Sequence, residues 1–271
     1  MNAMDNLELK KIKENPLYIR EIENPSEEMQ LEAIKKNPFT IQYVENQCEK
    51  CKEEAVRRNP TTIEYVKNPS EEICILAVKS LWNALKLIKE PSEKVVEEAV
   101  KTKGWAIQFV KNPSEKLKQI AVSRDYDAIK YIEDPSPEVQ LIAVKNHWSA
   151  IKFIKNPTLE AMRTSVKEDA EAINFLPNYT YEDLETFIGD NINVVKYLYE
   201  SIDVVKYLHE SIDVDMVVDI LTKKVAEENV DERYLLDFID LEVLEMNKVE
   251  FIKEYGSKRA KIILVDSMLS I

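Results

Sequence analysis

A 22-residue tandem repeat constrains this chain more than any other feature of its sequence. The pattern returns without an insertion, and the residues that mark it stand 22 apart: Pro25, Gln47, Pro69, Pro91, Pro113, Pro135 and Pro157. Gln47 is the single replacement of proline among them, and a copy that begins at Ala3 keeps the register. A short unit in tandem buries its apolar side chains only by stacking on its neighbours. The repeat therefore predicts a stack of small helical units rather than a fold around one central core.

Two apolar faces recur within each copy when the proline is counted as position 1. Position 5 is apolar, position 9 is alanine from Ala33 to Ala143 and then Ser165, and position 10 is Ile or Val. These spacings share one face of an α-helix, and alanine lets two helices cross closely. Positions 17 and 20 are aliphatic and position 19 is mostly aromatic, which indicates a second, shorter helix. We expect an all-α fold, a right-handed α-solenoid of 22-residue two-helix repeats with a C-terminal helical cap.

The residues at the helix starts are typical of capping. Asn24-Pro25-Ser26-Glu27 predicts asparagine at the N-cap, proline at the first helical position and glutamate near the positive end of the helix. The shorter helix starts in the same way, at Asn15-Pro16, Asn37-Pro38 and Asn59-Pro60. Each copy is therefore expected to hold a helix of about eleven residues and a second of about seven.

The pattern decays towards the C-terminus. Residues 3–178 hold the regular copies and 179–200 a degenerate one, so residues 3–200 form the predicted repeat domain. The ten residues 194–203 then recur at 204–213, which indicates a short duplication. Residues 201–271 form the second predicted region, with three or four amphipathic helices from Met216 and breaks near Asn229 and at Gly256-Ser257. This region either caps the last repeat or binds a partner, because a solenoid needs an end that covers its apolar face.

Charge separates the two regions. The whole chain has a net charge of −13, and residues 179–271 hold 21 acidic and 10 basic side chains. An acidic chain is a poor general binder of nucleic acid, because neutralised phosphates supply most non-specific affinity. The first ten residues contain no apolar run typical of a secretory signal, and no aliphatic run is long enough to span a membrane. We expect a cytoplasmic protein, and the odd number of cysteines fits a reducing compartment.

The repeat units resemble those of known helical repeat proteins. Asn-Pro-Ser-Glu at 24–27, Ala-Val-Lys at 143–145 and Ala-Ile-Lys-Phe-Ile at 150–154 are similar to units of HEAT-like α-solenoids. The 22-residue length is closer to short repeats such as the variant leucine-rich repeat. The units also resemble repeats of uncharacterised bacterial and bacteriophage proteins, over roughly residues 3–200. The resemblance implies an architecture and no catalytic residue, and a bacteriophage origin would imply a host-directed binding role, such as inhibition of a defence protein.

Two columns of side chains are candidates for binding. Aromatic residues occupy position 14 or 15 in four successive copies, where earlier copies have proline: Trp82, Trp105, Tyr126 and Trp148. Such rings are common interface anchors, and they also serve as structural covers over neighbouring turns. A basic column at position 11 includes Lys79, Lys101 and Lys145. These lysines either oppose the helix dipole or form an anion-facing stripe beside the rings.

Other reactive side chains form weaker patterns. Cys48, Cys51 and Cys74 could suggest a metal, but Cys51 holds the core position 5 and the chain has no fourth thiol, so packing is the preferred interpretation. The chain has only two histidines, His147 and His209, and they lie far apart in sequence. A histidine-dependent catalytic site is therefore not favoured. Asp125 and Asp127 stand beside the aromatic column, as the carboxylate of a HEAT-like base-excision enzyme does, and only their proximity supports that role.

These patterns favour a non-enzymatic protein-binding scaffold or inhibitor, without cofactor or metal. The aromatic column would hold a protein or peptide, and the acidic C-terminal region is an alternative docking site. A nucleotide or single-stranded nucleic-acid binder that uses the aromatic and lysine columns is the alternative function. The patterns leave the partner and the oligomeric state open.

Overall fold

The computed structural model describes residues 3–200 and 214–269. All regular secondary structure in these two ranges is helical, and no β-strand occurs there. The prediction of an all-α solenoid with C-terminal helices is confirmed. The chain divides into two compact units, residues 1–132 and 133–271. The predicted boundary near residue 200 adjoins residues 201–213, which lie outside the described ranges, and it stays a prediction.

In the first unit, α-helices alternate with 3₁₀ helices of six residues, labelled η. The α-helices are α1 Ala3–Glu14, α2 Glu27–Lys36, α3 Glu49–Arg58, α4 Glu71–Ser80, α5 Glu93–Thr102 and α6 Glu115–Arg124. The 3₁₀ helices are η1 Pro16–Glu21, η2 Pro38–Tyr43, η3 Pro60–Tyr65, η4 Trp82–Leu87, η5 Gly104–Phe109 and η6 Tyr126–Tyr131. Each α-helix packs on the next α-helix and each 3₁₀ helix on the next 3₁₀ helix. Two parallel rows result, one of each helix type.

The core of this unit lies between the two rows, where the repeat pattern places it. The alanines at position 9 are fully buried, as are most aliphatic side chains at positions 10 and 17: Ala33, Ala55, Ala77, Ala99, Ala121, Ile34, Val56, Val78, Val100, Ile19 and Ile41. Because no side chain extends beyond the alanine Cβ, neighbouring α-helices approach closely at that position. The core is therefore a set of columns that run along the stack, and each copy contributes one residue to each column.

The second, shorter helix of each regular copy, expected at about seven residues, is a 3₁₀ helix of six residues. Its first turn closes with an i+3 bond, as when the Thr40 N–H donates to the Asn37 carbonyl over 3.0 Å. Its last is the bond from the Val44 N–H to the Ile41 carbonyl, at 3.2 Å. Extended residues flank the helix on both sides, at Asn37 and Val44. Within six residues, i+3 bonds satisfy more backbone groups than i+4 bonds do, which favours the tighter helix.

The predicted asparagine cap is correct for the 3₁₀ helices and wrong for the α-helices. Asn15 Oδ1 accepts the Leu17 N–H over 3.1 Å at the start of η1. The α-helices instead begin after the serine of Asn-Pro-Ser-Glu, and Ser26 Oγ accepts the Met29 N–H. In two of the three Asn-Pro-Ser-Glu starts, the asparagine makes a left-handed turn: Asn68 has φ 46° and Asn112 has φ 51°. This left-handed conformation suits asparagine, whereas an N-cap residue is extended.

In the copy that begins with Gln47 instead of the marker proline, the glutamine side chain makes hydrogen bonds to neighbouring backbone groups. Gln47 donates to the carbonyls of Ile41 and Tyr65 and accepts the Lys67 N–H. Cys48 takes the cap position that serine holds in other copies, and its sulfur is bonded to Cys51. Cys51 is fully buried, as expected at position 5. The burial of Cys51 agrees with the packing interpretation, and its disulfide with Cys48 is an additional feature that the sequence pattern did not predict.

The second unit continues the repeat and then changes. Its helices are α7 Pro137–Asn146, η7 Trp148–Phe153, α8 Leu159–Glu168, η8 Ala170–Phe175, α9 Tyr181–Asp190, α10 Val194–Glu200, α11 Val214–Ala226, α12 Glu232–Asp240, α13 Lys248–Tyr255 and α14 Lys258–Leu269. In the degenerate copy, Thr180 and Asp183 form a capping box that replaces the lost proline start of α9. Helix α10 packs on η8, in the place of a 3₁₀ helix.

The C-terminal helices cover the end of the repeat within this unit. Helix α11 packs on α9 and buries Met216, Val217 and Leu221. Helices α12 and α13 pack on α14. The breaks predicted near Asn229 and at Gly256 separate α11 from α12 and α13 from α14. The second copy of the ten-residue duplication and His209 lie outside the described residues.

Candidate functional site

The 3₁₀ row of the first unit carries aromatic rings in pairs. A ring at position 14 or 15 of one copy packs against the ring at position 19 of the next, with centroids about 6 Å apart: Phe39 with Tyr65, Trp82 with Phe109, and Trp105 with Tyr131. The position-19 rings of the first two pairs, Tyr65 and Phe109, are each 37% exposed. We call these six rings the aromatic face. Its pairs recur along the row of 3₁₀ helices and remain open to solvent on one side.

Trp105 contacts polar, aromatic and charged side chains. Its indole Nε1–H donates to Asp127 Oδ1 over 2.6 Å, and the Tyr131 ring meets it edge-on. The Lys130 ammonium lies 3.9 Å from the centroid of the indole, and Lys103 lies 5.0 Å from it. Cations this close to an indole are attracted by its quadrupole. The ring is therefore fixed in orientation while it remains only half-buried.

Asp125 joins two copies beside this ring. Its carboxylate accepts the Gly104 N–H and the Lys103 ammonium, both over 2.6 Å. Although Asp125 is the residue before η6, its side chain does not cap that helix. It lies instead against the start of η5 in the preceding copy. Both carboxylates beside the aromatic column, Asp125 and Asp127, are thus held by donors of the protein itself.

The other predicted rings occupy related positions. Trp82 stacks on Phe109 with an angle of 23° between the ring planes. Tyr126 is the first residue of η6 and is half-buried. In the second unit, Trp148 packs against Phe175, and the Lys152 ammonium lies 4.7 Å from the Trp148 ring and 3.7 Å from the Phe175 ring. The ring-pair and lysine arrangement of the first unit therefore recurs there.

The predicted lysines lie at the ends of the α-helices. Lys79 pairs with Glu98 of the next helix over 3.1 Å, and Lys101 pairs with Glu97 and Glu98 of its own helix. Hydrogen bonds from Lys79 and Lys101 lower the pKa of the Glu98 carboxyl below its ordinary value. In the second unit Lys145 is exposed near the end of α7. The positive charge of Lys79 and Lys101 is thus offset by nearby carboxylates.

Sequence reasoning missed the lysines that lie over the rings and the exposure of the position-19 rings. Lys103, Lys130 and Lys152 are the ring lysines, at positions 13 and 18 rather than 11. The aromatic column at position 19 was visible in the sequence, but it was assigned to the inner face of the second helix. A 3₁₀ helix turns by 120° per residue, so positions 17 and 20 share one side and position 19 points to another.

A cavity of about 340 Å³ lies in the second unit, between the ends of α8, α9 and α11 and the start of α12. Charged side chains line it, and Asp190 at its wall is held by two bonds from Arg163. The Tyr234 hydroxyl is buried and has no hydrogen-bond partner within the described residues. Burial raises the pKa of this hydroxyl far above its ordinary value. The cavity is polar and its walls are joined by ion pairs.

Within residues 3–200 and 214–269, no group of three or more His, Cys, Asp and Glu side chains is placed to hold a metal ion. None of the helices in the same ranges has the length and apolar character needed to cross a membrane. Comparison with known proteins adds no further constraint on the aromatic face. No protein-family model, curated protein or solved structure matches this chain.

Proposed function

We propose that this protein is a non-enzymatic binding scaffold whose aromatic face holds a protein or peptide partner. The observation that supports this proposal is the recurrence of half-exposed ring pairs along the 3₁₀ row, from Phe39 to Tyr131. Large rings at regular spacing offer apolar area at low entropic cost, and they are frequent anchors of protein interfaces. A row that repeats every copy suits an extended segment or a helix rather than a compact small molecule.

The polar groups around the rings favour a protein over a nucleic acid. Each lysine near Trp105 has a carboxylate within hydrogen-bond reach, Lys103 with Asp125 and Lys130 with Asp127. A phosphate chain would meet these carboxylates as well as the lysines, and the net charge of −13 adds repulsion. A peptide, by contrast, can use both signs of charge. The lysines over the rings are what supports the alternative, a nucleotide or single-stranded nucleic-acid ligand.

The resemblance to HEAT-like repeats and to repeats of bacterial and bacteriophage proteins extends the proposal to the kind of partner. On that resemblance, the partner is a bacterial host or defence protein in the cytoplasm, which the scaffold would inhibit by occupying its surface. We expect no turnover that depends on Asp125 or Asp127, because both carboxylates are occupied by donors of the protein.

The experiment is an affinity capture with purified protein, followed by reconstitution with the purified partner. The variants Trp105→Ala and Phe109→Ser should each lose at least about tenfold in affinity, as interface anchors do. Lys36→Ala, which changes an exposed residue at the end of α2 in the α-helical row, is the control and should bind as the wild type does. All variants should keep the helical circular dichroism of the wild type.

Three results would overturn the proposal. In the first, the aromatic variants fold and bind the reconstituted partner as tightly as the wild type does. In the second, the capture recovers nucleic acid, and its binding weakens steeply between low and high salt while protein binding is not detected. Turnover of any substrate that Asp125→Asn or Asp127→Asn abolishes would place the protein among enzymes instead.

A further inference from the structure

A pair of cysteines stands at the start of α3, where α2 and α4 have a serine and an apolar residue. Cys48 holds the N-cap position, and its Sγ accepts the Cys51 N–H over 3.1 Å, as a serine Oγ does in the neighbouring copies. Cys51 holds the core position 5 and is bonded to Cys48 through sulfur. Both replacements fall in the copy that also lacks the marker proline. The bonded pair is therefore a local departure from the repeat.

This disulfide adds little to the stability of the fold. It joins residues three apart, and the stabilisation that a disulfide gives falls as the loop it closes becomes shorter. The chain before α3 is already held by side chains. Gln30 Oε1 accepts the Cys48 N–H over 3.1 Å, and the Gln47 side chain donates to carbonyls of η2 and η3. Helices α2 and α4 are capped by serine, which forms no such bond, so the backbone of α3 does not require it.

The two sulfur-bearing residues differ in access to solvent, and this difference separates their roles. Cys48 is partly exposed, whereas Cys51 is fully buried. When the bond is reduced, the N–H groups at the start of α3 favour a thiolate at Cys48, and the thiolate is the reactive form of the thiol. The Sγ of Cys51 lies 4.0 Å from the Glu27 carbonyl oxygen, which can accept a weak hydrogen bond from a Cys51 thiol. Cys48 is thus placed to react with another molecule and Cys51 only with Cys48.

We propose that Cys48 and Cys51 form a redox site that exchanges electrons with small disulfides and dithiols. The Cys48 thiolate attacks one sulfur of a small disulfide, forms a mixed disulfide and releases the other sulfur as a thiolate. The Cys51 thiol gives its proton to that released thiolate and attacks Cys48 Sγ. The Cys48–Cys51 bond closes, and the second sulfur of the substrate leaves as a thiolate. The substrate gains two electrons and the protein loses two, and a dithiol reverses each step.

The surroundings of Cys48 favour a small substrate. Cys48 is only partly exposed, and its backbone is held by Gln30 of α2. A small disulfide can reach the sulfur without movement of α3, whereas a disulfide within a folded protein would meet the surrounding helices. The site lies in the row of α-helices and the aromatic face lies in the row of 3₁₀ helices. The redox site therefore does not rest on the proposed binding function.

The repeat supplies variants that preserve the fold. Cys48→Ser introduces the residue type that caps α2 and α4, and Cys51→Ala introduces the alanine that α8 has at position 5. Each variant leaves one sulfur of the pair. Cys74 is free and buried, so it should stay unmodified in every folded chain and serves as the internal control. Circular dichroism checks that each chain is folded.

The first test mixes each reduced chain with glutathione disulfide and identifies the products by mass spectrometry of peptides. The wild type should close the Cys48–Cys51 bond. Cys51→Ala should stop at a mixed disulfide of glutathione with Cys48, because the second thiol is absent. Cys51 in the Cys48→Ser chain should react at least about tenfold more slowly than Cys48 does in the Cys51→Ala chain, because it is buried.

The second test equilibrates the wild type in buffers of graded glutathione and glutathione disulfide. The fraction of chains that carry the bond should follow a two-electron equilibrium, which depends on the square of the glutathione concentration. The helical circular dichroism should stay unchanged across the series, because serine-capped copies keep the same backbone without a disulfide.

Four outcomes would overturn the proposal. A bond that stays closed in the most reducing buffer is a structural cross-link. Loss of helical circular dichroism on reduction shows that the fold requires the bond. A wild type that accumulates glutathione on Cys48 without closing the bond excludes the role of Cys51. Finally, Cys48 is not the exchanging sulfur if it reacts in folded Cys51→Ala no faster than Cys51 does in Cys48→Ser.

Discussion

Two copies of the repeat in the first unit reach the same backbone by different contacts. Asn59, before η3, accepts the Thr61 N–H and so caps its own 3₁₀ helix. Asp125, at the same repeat position before η6, accepts the Gly104 N–H and the Lys103 ammonium of the preceding copy. The earlier copy is stabilised from within, whereas the later one is stabilised by its neighbour. The backbone is therefore periodic, whereas the side-chain hydrogen bonds that join one copy to the next differ along the stack.

The largest loss of stability is expected at Gly104, where two of the later copies approach each other closely. A Cβ on Gly104 would lie 2.3 Å from the Ala121 carbonyl oxygen, and that backbone atom cannot move aside cheaply. We expect Gly104→Ala to lower the free energy of unfolding by about 3 kcal/mol, as overpacking does in tight sites. Urea denaturation followed by circular dichroism measures the change.

Gly189 supplies the control for this glycine. It lies in α9, and a Cβ there would meet its nearest neighbour at 3.5 Å, an ordinary contact. Gly189→Ala should be neutral or slightly stabilising, because alanine favours a helix more than glycine does. Equal destabilisation by the two substitutions would show that Gly104 is not a point of close approach.

The next largest loss of stability is expected at Asp125, and it can be compared with the loss at Asn59, which holds the same repeat position. Asp125→Ala leaves the buried Gly104 N–H without its acceptor, and we expect a loss of about 2 kcal/mol. Asn59→Ala removes a helix cap and should cost about 1 kcal/mol. Both losses can be read from the urea midpoints of the single variants.

A third variant separates charge from hydrogen bonding at Asp125. Asp125→Asn keeps an oxygen for the Gly104 N–H and removes the charge that faces Lys103, so it should cost less than Asp125→Ala. Because the ion pair is partly exposed, the difference between Asp125→Asn and the wild type should shrink as salt is added. A larger loss in Asn59→Ala than in Asp125→Ala would reverse the comparison between the two copies.

The sequence was sufficient for the backbone architecture because that architecture is set by columns that repeat. Alanine at position 9 and aliphatic residues at position 10 predicted the buried side of α2 to α7, and those side chains are buried. The asparagine start of η1 to η3 was also predictable, since its bond joins residues two apart. Local hydrogen bonds and periodic packing each require particular residue types at fixed positions, so both can be recognised in the sequence.

The candidate site was less predictable because its contacts join residues about 22 apart. The indole of Trp105 and the carboxylate of Asp127 meet across one full repeat, as do Lys103 and Asp125. Such pairs depend on how far one copy is shifted against the next and on the 3₁₀ geometry, and neither is encoded in a local motif. The bond between Cys48 and Cys51 is different, because it is local, but the core position of Cys51 suggested packing alone.

The smallest loss of stability is expected when the hydrogen bond between Trp105 and Asp127 on the aromatic face is removed. Phe39 in an earlier copy and Trp105 in a later one hold the same repeat position, and each meets a tyrosine ring of the next copy edge-on. Only the indole also donates to a carboxylate, Asp127. Trp105→Phe therefore converts the later pair into the earlier type, and we expect a loss of about 1 kcal/mol in the free energy of unfolding.

A double-mutant cycle between Trp105→Phe and Asp127→Ala measures this bond apart from the packing of the ring. The coupling energy should be about 1 kcal/mol, since the two residues are in direct contact and share the hydrogen bond. Because Trp105→Phe keeps a ring on the aromatic face, partner binding should fall much less than it does in Trp105→Ala. A coupling energy near zero would mean that the indole is held by Tyr131 and Lys130 alone, and that the later copies do not differ from the earlier ones at this position.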